Sequence, residues 1–166
     1  MTSPTSPQPT NQPTPSPDPQ RPKEEPQAAL FDAVGTEHAA IYGYGLVSAH
    51  SLPSRNVLIS DALAAHRDRR EAALAILAAR GITAPAPAAG YQIPMIVDSP
   101  TTAARLAVRL EDDCAVAWRA VLEQSGAADD RKFALTALTD SAVLAARWRQ
   151  IYGAWPITEA FPGGSE

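Results

Sequence analysis

One cysteine, Cys114, in 166 residues excludes an internal disulfide and leaves neither a Cys-rich zinc pattern nor a CxxC redox pair. No apolar run approaches the roughly 20 residues that cross a bilayer, because Arg, Asp and Glu interrupt the Ala-rich segments every few positions. A basic field is missing too. The formal charge is -4, the pI is near 5.3, and the arginines are scattered among acids, which argues against nucleic acid as a partner. A Gly-rich phosphate loop, a Ser/His/Asp arrangement and a dinucleotide fingerprint are absent. Residues 1–20 lack the basic and then apolar stretches of a secretory signal. These absences together predict a chain of the reducing cytoplasm with no nucleic-acid and no membrane partner.

What is present is enough apolar material for one domain with a core: 45% of the residues are hydrophobic and 19% charged. Residues 1–26 cannot contribute to that core. Nine of the sixteen prolines fall there among Ser, Thr, Gln and Asn, so this stretch is expected to be a disordered tail, with the folded domain spanning 27–166.

Four windows follow in which apolar residues recur at three- and four-residue steps. The first runs from about Gln27 to His50 and stops at Leu52-Pro53. The second starts near Ser54 or Asn56, carries Ile59, Leu63, His66, Arg70, Ala73 and Leu77, and closes at Gly81. Pro85, Pro87, Gly90 and Pro94 then exclude a long helix. Ser99 and Pro100 open the third window, which ends near Gln124. Asp129 or Asp130 caps the fourth, which carries Phe133, Ala137, Asp140, Leu144, Arg147 and Ile151 and ends near Gly153. The pattern predicts an all-α four-helix bundle with short turns at either end and a long crossover between helices 2 and 3, which lets those two run parallel.

The segments GTEHAAIYGYG, AHRDRRE, LEDD and ARWR, with the closing FPGG, resemble the ferritin-like superfamily, and more narrowly a bacterial ferritin-like family of unknown function. The resemblance covers about Gln27 to Gly164 and implies a ferritin-like bundle. In catalytic members two helices each give one carboxylate, and the other two each give a Glu-x-x-His step, which together hold two irons. Glu37 and Glu111 match the single carboxylates. His66 and Asp140 match one half of each remaining step, but Leu63 stands where the second Glu is expected and Val143 where the second His is expected.

A usual di-iron centre is therefore not expected. One iron or manganese ion held by Glu37, His66 and Glu111 would make the chain an oxidoreductase with a reduced ligand set. The favoured alternative needs no cofactor. Arg70 and Arg147 follow His66 and Asp140 by one or two turns and can pair with Glu37, Glu111 and Asp140, so that Glu37, His66, Arg70, Glu111, Asp140 and Arg147 form a metal-free interior polar cluster. Cys114 reads as a small buried apolar residue. Tyr42, Tyr44, Trp118 and Trp148 read as core filler whose polar tips find partners. His38 and His50 lack metal-ligand spacing to another histidine.

The resulting expectation is a non-enzymatic protein that works through an unidentified protein partner or as a homodimer, the latter through Ala-rich faces such as Ala72-Ala73 and Ala145-Ala146. Trp155, Ile157 and Phe161 follow the last helix and are expected to pack back on the bundle as a strap.

Overall fold

Prolines and glycines set the helix limits. In the computed structural model, which describes residues 19–164, α1 spans Glu25–His50, α2 Asn56–Ala79, α3 Pro100–Gln124 and α4 Ala128–Tyr152, with no strand among the described residues. The architecture is thus all-α, a four-helix bundle. No helix among the described residues is long and apolar enough to cross a membrane. Most of the expected tail, 1–18, lies outside the described residues. Its last two residues are already helical, because Pro26 sits in the first turn, where its fixed φ suits a helix and its missing N–H goes unneeded.

Helix α1 ends at His50 with Ser51 as its extended cap, and a 3-10 turn at Pro53–Arg55 leads directly into α2. That turn takes the place of the side-chain cap expected from Ser54 or Asn56. Gly81, at φ 69°, follows the end of α2. The crossover that follows has no regular element and is held by Tyr91, whose ring meets Tyr42 of α1 at 5.4 Å. Ser99 and Thr102 then cap α3 reciprocally: the Thr102 N–H donates to Ser99 Oγ at 3.3 Å and the Ser99 N–H to Thr102 Oγ1 at 3.0 Å.

Asp130 does not cap α4, since Ala127 occupies the cap position. The Asp130 carboxylate instead accepts from the Ser125 hydroxyl at 2.9 Å and from Arg80 at the end of α2, at 2.6 Å. This ties three helix ends together. Within the bundle α3 packs against both α1 and α4, and α1 against α2. Gly43 lets α1 and α3 approach closely, for a Cβ there would lie 2.7 Å from Leu110 Cδ1. Ala73 and Ala145, two of the alanines expected to serve self-association, are spent inside this packing.

The strap beyond Gly153 exists, but its two aromatic residues do not hold it down. Trp155 is 88% and Phe161 71% exposed, and only Ile157 of the three is half-buried. The attachment is polar and through the backbone. Arg149 donates to Asp112 of α3 at 2.7 Å and to Glu159 of the strap at 2.5 Å. Gly163 passes so close to α3 that a Cβ there would lie 2.5 Å from the Ala115 carbonyl oxygen.

Candidate functional site

Three helices each direct a polar residue and, seven positions later, an aromatic residue toward the core. The pairs are Glu37 and Tyr44 on α1, Glu111 and Trp118 on α3, and Ser141 and Trp148 on α4, all fully or almost fully buried. Seven residues are close to two helical turns, so each pair shares one face. Helix α2 completes the set with His66 and Arg69.

Glu37 is the hub. Its Oε1 accepts from Trp118 Nε1 at 2.7 Å and from Arg69 Nε at 3.0 Å, and its Oε2 lies 2.7 Å from His66 Nδ1. The opposite ring nitrogen, His66 Nε2, lies 3.1 Å from Glu111 Oε1, which also accepts from the Tyr44 hydroxyl at 2.5 Å. Trp148 Nε1 donates to the Tyr44 oxygen at 2.9 Å and closes the chain of bonds.

Charge decides the protonation state of His66. Burial alone would lower its pKa, but its bonds to Glu111 and Glu37 and their negative charges outweigh burial and raise it to about 9. Burial would likewise raise Glu37, yet the bond and charge of His66, the charge of Arg69 and the Trp118 N–H bring it below its ordinary value. The cluster then balances two carboxylates against an imidazolium and a guanidinium. An imidazolium has no lone pair at Nδ1, so the 2.8 Å approach of Arg69 Nη2 to that atom is a contact between two donors, brought together because Glu37 binds Arg69 through Nε and His66 through Nδ1. Neutral His66 would instead set its lone pair against a carboxylate oxygen, a worse contact. Burial and Glu111 keep Tyr44, and burial with both carboxylates keeps Cys114, well above their ordinary pKa values, so both stay neutral.

Of the residues expected in the interior, Glu37, His66 and Glu111 are brought together. Arg70, Asp140 and Arg147 are not. Arg70 pairs with its exposed neighbour Glu71 at 2.6 Å, and Asp140 and Arg147 are exposed on α4. The error is one residue of helix phase in each case. The buried face of α2 runs through Ile59, Ala62, His66, Arg69, Ala73 and Leu77, and that of α4 through Ala137, Ser141, Leu144 and Trp148. Arg69 therefore fills the place expected of Arg70, and Ser141 the place expected of Asp140. Of the aromatics, Tyr44, Trp118 and Trp148 have their polar tips bonded within the cluster, whereas Tyr42 lies outside it, 41% exposed. His38 is buried on α1, where desolvation and the charge of Arg70 hold it below its ordinary pKa.

One ligand atom from each of Glu37, His66 and Cys114 lies within 4.8 Å of the others. Three buried polar atoms have no partner, namely Arg69 Nη1, Glu111 Oε2 and Ser141 Oγ. A groove of about 480 Å³ lies away from the cluster, between the outer face of α4 and the strap.

Residues 29–166 match the model of a domain of unknown function, DUF4439. The chain belongs to the DUF4439 family. It is similar over 83% of its length, at 61% identity and with a TM-score of 0.77, to the crystal structure of a conserved hypothetical protein, rv2844, from Mycobacterium tuberculosis, of which 97% is covered. No curated protein matches it. The DUF4439 match begins within α1 and takes in all four cluster-bearing helices and the strap.

Proposed function

We propose that this DUF4439 chain is a ferritin-like bundle in which protein cations stand where a metal pair would, and that it acts by binding rather than by catalysis. The observation that carries the reading is Arg69, whose guanidinium bonds Glu37 and comes within 2.8 Å of His66 Nδ1 in the middle of the core. A long crossover between α2 and α3 supports the ferritin-like assignment. The donor set does not fit two metal ions. Such a centre asks for four carboxylates and two imidazoles, and the core supplies Glu37, Glu111 and His66, with Ser141 and Leu144 on the face of α4 where another Glu-x-x-His would stand. A cytoplasmic setting belongs to this reading and is supported by the free, buried Cys114.

A second reading is favoured by a separate observation. The grouping of Glu37, His66 and Cys114, with Glu111 Oε2 unpartnered nearby in the core, is a donor set for a single iron or manganese ion and would make the chain a metal-dependent oxidoreductase. Elemental analysis of chelator-free protein and of His66→Ala separates the two. The first reading expects no stoichiometric metal before or after anaerobic iron addition. Near-stoichiometric iron or manganese that disappears in the variant would overturn it.

A further inference from the structure

The outer face of α4 is built like an inner one. The outward positions Leu135, Thr139, Ala142, Val143, Ala146 and Gln150 form a face more than four turns long without a formal charge, flanked at one edge by Asp140 and Arg147, and Leu135 and Val143 are 52% and 47% exposed. A surface helix normally turns charge outward, and one that is apolar on both sides is normally covered. This face also forms one wall of the 480 Å³ groove, whose other wall is Ile157, Thr158, Glu159 and Pro162 of the strap, with Asp112, Arg147 and Arg149 at its margins. On that same strap Trp155 and Phe161 project into solvent almost fully.

We infer that this face is a self-association surface, and that its occupant is the α4 face and strap of a second copy of the chain, antiparallel across a two-fold axis near Val143. Two features select a copy over any other partner. First, hole and knob lie side by side: the strap that walls the groove also carries the exposed aromatics that can fill the partner's groove, which is the condition for an isologous contact. Second, the charges at the rim are self-complementary. Asp140 and Arg147 are exposed and make no ion pair among the described residues. Spaced by seven residues, they share one edge of the helix. An antiparallel copy centred between Val143 and Leu144 sets each Arg147 opposite the other Asp140, so one edge closes with two ion pairs and the other with two straps.

This names the partner for the binding role proposed above and rests on that reading only there. The metal analysis tests the interior and the oligomeric state tests this face, so each can fail alone. The experiment is sedimentation equilibrium of the full chain across its soluble concentration range. The wild type is expected to dimerise, and Val143→Arg to be monomeric with unchanged helix content and a melting temperature that no longer depends on concentration. Asp140→Arg and Arg147→Asp should each weaken the dimer about tenfold, and the double exchange should restore it. A wild type that stays monomeric overturns the inference, whether or not its groove takes up an apolar dye. So does a dimer indifferent to Val143→Arg, or a double exchange no tighter than the single ones.

Discussion

The centre of the bundle and the outer face of α4 use polar and apolar groups in reverse. Inside, where charge is most expensive, two carboxylates, an imidazolium and a guanidinium are gathered and bonded to one another. Outside, where charge is free, the face of α4 running from Leu135 through Val143 to Gln150 has none, and Asp140 and Arg147 stand only at its edge. Each departure from the usual distribution is tolerable only if something compensates it. The interior has its compensation within the chain, in the Arg69 and His66 bonds, whereas the outer face has none among the described residues. The interior charges are therefore matched largely within the chain, whereas the outer face of α4 has no cover among the described residues.

The sharpest way to break the contrast is to remove one interior cation. Arg69→Met leaves Glu37 short of a buried partner and should destabilise the fold by about 3–5 kcal/mol, read by denaturant unfolding. Its neighbour supplies the control: Arg70 pairs with exposed Glu71, and Arg70→Met should cost no more than about 1 kcal/mol. Equal losses would mean that the guanidinium charge of Arg69 is not what holds the centre.

Next in size is the dependence on pH. His66, raised to about 9, binds its proton more tightly in the folded chain than in the unfolded chain. Its contribution is thus fully present below the unfolded value of about 6.5 and declines as pH rises through 9, a change on the order of 3 kcal/mol. Unfolding curves across that window should show the decline in the wild type and not in His66→Gln. A flat profile would show that His66 is neutral in the core.

The smallest expected effect concerns the strap that borders the outer face. Gly163→Ala forces a Cβ against the Ala115 carbonyl at a left-handed φ of 72° and should loosen residues 155–164 at a global cost near 1 kcal/mol. Faster proteolysis after Gly153 with little change in melting would report it. Unchanged cleavage would mean that the Arg149 bonds to Asp112 and Glu159 suffice to hold the strap.

Helix number, order and limits were readable because Pro53, Gly81, Pro100 and Gly153 act locally, each stopping or starting a helix whatever surrounds it. The rotation of each helix was readable only in part. In α2 both Leu63 and Ala62, and both Arg70 and Arg69, fit a three- and four-residue stripe, and the larger aliphatic residue drew the choice one position away from the buried face. In α4 the stripe through Phe133, Ala137, Leu144 and Ile151 passes over Asp140 and Arg147, one position short of the buried Ser141 and Trp148. A signal that resolves the phase was present in the repeated seven-residue step from a polar residue to an aromatic one, Glu37 to Tyr44 and Glu111 to Trp118, since such a pair is buried together. Applied to α4, it picks Ser141 with Trp148. The bonding of Arg69 to Glu37 had no such signal, because it depends on the distance between α1 and α2.

The placement of the three tryptophans divides the fluorescence of the protein between its two unusual regions. Trp118 and Trp148 are sealed within the core, with their indole N–H groups on Glu37 and the Tyr44 oxygen, while Trp155 stands almost wholly in water on the strap. Emission from the first two reports any opening or recharging of the centre, and the share open to a soluble quencher reports whether the strap is covered. An unlabelled sample thus carries separate optical channels for its inside and its outside.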